Sequence, residues 1–348
     1  MKSHSAIKYL KPQTKIKKLK KIGNFTSITL NLANDDAKTE IKKIILENKP
    51  DTIVHLAHNP SAAFSMKNNK NANDVLINNI IGTNNVLWAI KETDPEIHLV
   101  NIGTTGEYDH YGNVIVQEGY FKFEDKESGR MSNEMIFPRR PGSIYHTSKV
   151  SMTYLVDFLC RAWNLRCTDI MQGIVVGTYT DEINETKIYS PLFIDEAFGT
   201  VLNRFIVEAK LNIPLTIYGE GEHQRPFLML NDSVQALMIA IKNKPEKGKV
   251  RVWNQLSQWM SINEMANSIK NVLAENNLCN VEFEHIPTPR KEQTTQHFYE
   301  FKTDILKSLG YKPTRKIEQE ILYTYNLLNL DYINDLKDSF IPKIIFTK

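Results

Sequence analysis

DTIVHLA, residues 51–57, is a near-continuous apolar run that follows Pro50. Such a run suits a strand buried on both faces of a parallel sheet. The stretch before it, DDAKTEIKKIILENK (35–49), carries Ile41, Ile44 and Ile45 at helical spacing, with Asp35 or Asp36 as its cap. Pro50 closes that helix. Outward from there, SITLNLA (27–33) reads as a strand, and Asn73 to Lys91 as a long helix with Val75, Ile80, Val86, Leu87 and Ile90. IHLVNIG (97–103) reads as the next strand. A polar insertion (109–142) then precedes a helix around 143–163 and the strand-like RCTDIMQGIVVG (166–177). Strand and helix in strict alternation predict an α/β domain on a doubly wound parallel sheet.

Beyond residue 177 the rhythm loosens. A helix near 195–211, strands at LTIYG (215–219) and PFLML (226–230), and a helix from Asp232 to Lys242 follow. VRVWN (250–254) and a helix from Ile262 to Ala274 come next, the latter opened by Ser261 and Glu264 as a capping box. The pattern predicts a first domain at 1–177 with returns near 228–257, a smaller interleaved domain at 178–227 and 258–330, and a tail at 331–348.

The bulk numbers are those of a globular protein: 348 residues, 41% hydrophobic, 24% charged, net charge +3. That charge is too small to argue for nucleic acid or membrane. Lys15, Lys17, Lys18, Lys20 and Lys21 cluster near the start. A nucleic-acid arm and a solvated helix or loop are both open there; the lack of interleaved aromatics favours the second. Cys160, Cys167 and Cys279 fit neither a zinc site nor a disulfide framework, which predicts a reducing compartment and no metal. No apolar run reaches membrane-span length and no signal-peptide core follows Met1. A soluble cytoplasmic protein is expected; the plastid stroma enters only if a targeting segment lies upstream.

Chemistry concentrates in PGSIYHTSKV (141–150). Tyr145 and Lys149 are four apart, so on a helix they share a face. A phenol near its ordinary pKa of ~10 is a poor base at neutral pH, and a neighbouring ammonium favours the phenolate. The pair is then a workable acid–base device for an alcohol. Alone the spacing is common. Upstream, GTTGEY (103–108) places Thr104 at the carboxyl end of a parallel strand, where ligands bind in open α/β sheets. A turn or cap threonine is the plain alternative.

The three residues, in that order after those strands, resemble the extended short-chain dehydrogenase/reductase enzymes that act on nucleotide sugars. VHLA (54–57), NNIIGTNNVL (78–87), PLTIYGEGEHQRPF (214–227) and IPTPR (286–290) look like that family's segments. GTTGEYD, PGSIYHTSKV, QGIVVGTYTDE (172–182), FGTVLNRFIVEA (198–209) and VWNQLSQWMSINE (252–264) are similar to those of its UDP-sulfoquinovose synthase subfamily. The resemblance runs from about Ser27 to Pro313. It implies NAD as cofactor, UDP-glucose and sulfite as substrates, and a homodimer. It implies C4 oxidation by Tyr145, Lys149 and Thr104, elimination across C5 and C6, sulfite addition, and C4 reduction. Where related 4,6-dehydratases carry T-D-E, this chain holds Thr104, Thr105 and Gly106. His146 and Glu107 are the available acid–base replacements, an imidazole titrating near neutrality. His55, Leu56, Ala57, Asn78, Tyr145, Lys149 and Gln172 would meet the cofactor. Thr105, Gln172, Thr200, Arg204, Arg225 and Arg290 would meet the substrates. For His146 a packing role, and for Arg204 an interhelix salt bridge, are the alternatives. The insertion, with Tyr120, Phe121, Phe123, Arg130, Arg139 and Arg140, reads either as a lid or hairpin over the site or as solvated loop.

The resemblance also implies a Gly-rich turn, G-x-x-G-x-x-G, for the NAD pyrophosphate. Ahead of Ser27 only Gly23 is present. The expectation is therefore an N-terminally truncated Rossmann-type sheet. Asn34, Pro60 and Thr105 also depart from the family pattern. Another nucleotide-sugar epimerase or dehydratase, and a non-catalytic sugar-nucleotide binder, are the competing readings.

Overall fold

A computed structural model describes residues 5–108, 114–195, 197–288 and 299–334. At its centre four parallel strands lie in the order Thr52–His55, His98–Thr104, Arg166–Gln172, Val250–Gln255. Register aligns their carboxyl ends: Thr104 lies opposite Gln172, and Gln172 opposite Gln255. Period-two alternation divides the side chains between the faces. Leu99, Cys167 and Val252 face a core with Ile41, Ile45, Val86, Leu87 and Ile90, from the helices Ala37–Asn48 and Gly82–Thr93. Val100, Ile170 and Trp253 face Ala236 and Ala240 of the helix Leu230–Lys242. A parallel sheet with helices on both faces is the α/β architecture expected.

A second core gathers the helices Val201–Lys210, Ile262–Glu275 and Ile317–Leu327 around two small sheets. One runs Gln258–Ser261, Gln224–Met229, Ile174–Val176; the other pairs Phe283–Ile286 with Leu215–Tyr218. Ala6, Ile7 and Ile333 are buried in this core. Residues 335–348 of the expected tail lie outside the described residues.

Three expected elements differ. Ser27–Ala33 is not a strand: Ile28 is exposed and only Leu30 and Leu32 touch the first core. An extended segment becomes a strand only by pairing, and among the described residues none runs alongside it. The expected long helix is two, Asn69–Leu76 and Gly82–Thr93, joined by a π-helical turn at Ile77–Ile81. That turn swings Asn79 inward, where its Nδ2 donates to Ser148 Oγ (2.9 Å) and its Oδ1 accepts from Asn59 N–H (2.8 Å). The run 166–177 divides at Gly173 into strands of two different sheets. The lysine cluster forms an exposed helix, Pro12–Ile22, with no buried residue.

The insertion is no lid over its described length. Tyr120 and Phe121 pack on the first core, and the Tyr120 hydroxyl donates to Asp157 Oδ1 at 2.6 Å. Arg139 is not solvated: its side chain is buried, stacked 4.0 Å from the Tyr108 ring. Residues 109–113 lie outside the described residues.

Candidate active site

The carboxyl ends of the sheet open into a cavity of about 550 Å³, within the range of small-molecule sites. Thr104, the last residue of its strand, lines it. So do Tyr145, His146 and Lys149, from the first turns of the helix Ile144–Trp163. That helix starts where Ser143 accepts from the His146 N–H (3.2 Å). The Tyr145 N–H, without an intrahelical partner at this end, donates to Ser65 Oγ at 3.0 Å. Ser65 belongs to the short helix Ala62–Ser65, whose cap, Ser61, donates from its hydroxyl to the Ala197 carbonyl. The segment after the first strand thus ties the helix of Tyr145 and Lys149 to the far wall of the cavity.

Tyr145 is buried and its phenol bonds to Thr104. Burial, then the charge of Glu107, push its pKa up, and the Thr104 bond pulls it down. The expected lowering by Lys149 is not what this geometry produces. Lys149 Nζ donates to the Ile102 carbonyl (2.6 Å) and lies 2.9 Å from His58 Nδ1, while the Tyr145 ring centroid is 6.0 Å away. Burial pushes the lysine down to about 8, against the upward pull of Glu107 and Asp169.

His146 turns its ring toward Gly106. A Cβ there would lie 2.3 Å from Nε2, so the glycine makes room for the imidazole. On the other side Nδ1 is 3.1 Å from Ser143 Oγ.

Glu107 and Thr105 do not line the cavity. Thr105 donates from Oγ1 to the Gln172 carbonyl at 3.2 Å and joins two strand ends. Glu107 is wholly buried beneath Thr104, accepting from its N–H (3.3 Å). Arg139 Nε stands 3.8 Å from its carboxylate. Thr153 Oγ1 is 3.0 Å from Glu107 Oε2 and 3.1 Å from Asp169 Oδ2. The one hydroxyl hydrogen serves only one of the two carboxylates at a time. Burial pushes both pKa values up.

Gln172 lines the cavity, with Nε2 bonded to Ser233 Oγ and Gln255 Oε1, each at 2.8 Å. Thr200, Arg204 and Arg225 form the opposite wall, with His223 and Tyr218. Thr200 caps the helix of Arg204. The Arg204 guanidinium stacks 4.4 Å from the Tyr218 ring centroid and bonds to Thr216; the Glu208 carboxylate is 3.5 Å away on the same helix, not on another. Arg290 lies outside the described residues.

Of the residues expected at the cofactor, Leu56, Tyr145, Lys149 and Gln172 line the cavity. His55, Ala57 and Asn78 do not. His55 is buried against Thr83 Oγ1 (3.1 Å), and the Ala57 carbonyl accepts from Asn78 Nδ2 at 3.4 Å. Sequence reasoning missed His58, whose position just past a parallel strand was the available signal.

Comparison with known proteins gives four findings. The model of the NAD dependent epimerase/dehydratase family matches residues 5–254. The UDP-sulfoquinovose synthase of Sulfolobus acidocaldarius is 37% identical over 320 residues, 92% of this chain and 80% of the relative. The chloroplastic UDP-sulfoquinovose synthase of Spinacia oleracea is 39% identical over 266 residues, and the alignment spans 76% of this chain but about half, 54%, of that relative's length. Among solved structures, the UDP-glucuronic acid 4-epimerase of Bacillus cereus, in complex with UDP-glucuronic acid and NAD, superposes with a TM-score of 0.66 at 18% identity, covering 95% of this chain and 90% of that one. At that identity the likeness is one of fold.

Proposed function

The chain belongs to the NAD-dependent epimerase/dehydratase family, and we propose that within it the protein converts UDP-glucose and sulfite to UDP-sulfoquinovose. One observation carries the reading: Thr104, Tyr145, His146 and Lys149 line one wall of a cavity whose other wall bears Arg204 and Arg225. Acid–base groups face two cations across a space of sugar-nucleotide size.

The residues at the strand ends fit the nicotinamide end of NAD. Leu56, His58 and Ile102 line that side, beside Lys149. They do not supply a pyrophosphate cradle: among the described residues no strand–glycine turn–helix unit flanks Thr52–His55. When bound, NAD supplies the hydride acceptor and donor for sugar C4. Tyr145, held by Thr104, takes and returns the C4 hydroxyl proton, with Lys149 as the nearby positive charge. A ketone at C4 acidifies the C5 proton. His146 is the base and acid for loss of that proton and of the C6 hydroxyl, and sulfite adds at C6. Glu107 acts from beneath, by fixing the Thr104 backbone. Arg225 and Arg204 hold the diphosphate and sulfite, aided by Thr200 and Gln172.

Incubation with UDP-glucose, NAD and sulfite tests this, with product identified by mass spectrometry and NMR. UDP-sulfoquinovose is expected. A 4-keto-6-deoxy sugar, or the galactose epimer with sulfite ignored, would make the chain another enzyme of the family. A second reading rests on the unbuilt pyrophosphate cradle: a nucleotide-sugar binder without turnover. UDP-glucose binding with no NAD binding, measured by calorimetry, would favour it.

A homodimer is part of the proposal, supported by exposed apolar side chains on two helical segments: Tyr154 and Phe158, and Ile77 and Ile81. No helix among the described residues is long and apolar enough to cross a membrane. The three cysteines are free, which supports a reducing, cytoplasmic setting.

A further inference from the structure

His58 lines the cavity and lies against the lysine. Its Nδ1 is 2.9 Å from Lys149 Nζ, and its Nε2 is 3.3 Å from Thr83 Oγ1. The bond beyond Thr83 decides which nitrogen carries hydrogen. The Thr83 hydroxyl has one hydrogen and donates it to the Asn79 carbonyl at 2.7 Å. Toward both imidazoles it can then only accept. His55 Nε2 (3.1 Å) and His58 Nε2 (3.3 Å) therefore carry the hydrogens. His58 Nδ1 is left with a lone pair, facing an ammonium. With the Ile102 carbonyl at 2.6 Å, two of the three ammonium hydrogens are placed.

We propose that His58 is a positioning residue for Lys149: as its neutral Nε2–H tautomer it accepts from the ammonium, fixes it at the end of the sheet, and keeps it charged for Tyr145. This rests on reading Tyr145 and Lys149 as the acid–base pair. The groups facing the lysine are Glu107 from the turn after Thr104, Asp169 from the neighbouring strand, His55 and His58 from the first strand's end, and Tyr145 on its own helix. Burial works against its charge, while Glu107 and Asp169 support it. A hydrogen bond accepted from the charged form adds to that support. His58 itself stays neutral, its pKa pushed down by burial, then by Lys149 and His55. It is an acceptor through the working range, not a titrating switch.

The His55 and His58 rings also pack edge to face at 4.2 Å, so a structural role must be told apart from a positioning one. Two kinds of variant separate the roles. His58→Leu fills space without an acceptor, and His58→Ala removes both ring and acceptor. His58→Asn places an amide oxygen where Nδ1 stood. The readout is competitive acetylation of Lys149 in the full chain without substrate, followed by peptide mass spectrometry across pH. His58→Leu and His58→Ala should each shift the midpoint of Lys149 reactivity down, by on the order of one pH unit. His58→Asn should return it toward wild type. An unmoved midpoint in the Leu and Ala variants, or an equal shift in the Asn variant, overturns the proposal. The alkaline limb of UDP-glucose oxidation should move in the same order. If acetylation depends on His58 but no variant oxidises UDP-glucose, the proposed reaction fails while the hold on Lys149 stands.

Discussion

The strand Thr52–His55 and the strand-like segment Ser27–Ala33 are built unlike each other. On one side of Thr52–His55, His98–Thr104 pairs with it in register, and the next two strands continue the sheet. That flank is buried, and its strand ends carry Thr104 and Gln172. Ser27–Ala33, by contrast, has the alternation of a strand, yet pairs with no strand among the described residues, ends in a turn at Leu32–Ala33 and is largely exposed. Alternation records a preference; a ladder partner converts it into structure. Side chains on the paired flank are fixed from several directions, as acid–base chemistry requires.

Breaking that flank at the phenol should have the largest effect. Tyr145→Phe keeps the ring and removes the group that exchanges the proton. Oxidation of UDP-glucose should fall by about 10³-fold or more, with UDP-glucose affinity within about twofold of wild type. Retained turnover would sink the assignment. Next in size is the contrast in stability. Ile170 is fully buried in the sheet, and Ile170→Ala should cost about 3 kcal/mol in denaturant melts. Ile28 is 54% exposed, and Ile28→Ala should cost less than about 0.5 kcal/mol. Equal costs would mean that the outer segment is packed after all. Gly106→Ala sharpens the comparison inside the site. A methyl group would meet His146 Nε2, so the ring must move, and product formation should drop about 100-fold while folding is retained.

A further effect is one of pH. Glu107 is pushed up to about 7 by burial, from 4.5 when unfolded. Between those values the folded chain holds a proton that the unfolded chain has lost. Stability therefore falls as pH rises from 4.5 to about 7, relative to a Glu107→Gln variant that lacks this titration. At pH 7.5 the variant should be more stable by about 1–3 kcal/mol; a constant difference from pH 4 to 8 would mean that Glu107 is not a raised, buried acid.

The parallel sheet was legible because its strands are apolar on both faces, and the shared face of Tyr145 and Lys149 because four residues separate them on a helix. The Ser261 and Glu264 capping box reads directly from spacing and is present. What was not legible depends on partners distant in the chain. Ser27–Ala33 scores as a strand alone and lacks one only in three dimensions. Glu107 has the chemistry of an acid–base residue, but the turn that follows Thr104 points it inward to Thr153. His58 gains its role from Lys149, Thr83 and Asn79, which sequence distance separates from it.

Gly173 also limits what mutation can do with this chain. Any side chain there would bring its Cβ within 2.7 Å of the Pro226 carbonyl, at the break where the chain passes from the central sheet into a second one. A backbone oxygen in a paired strand cannot swing aside as a side-chain tip can. In a library covering all substitutions, position 173 should tolerate a single amino acid, while its neighbour Ile174, 36% exposed, accepts many. The route between descendants of this fold is thus narrow at a cavity-wall residue that contributes no side chain.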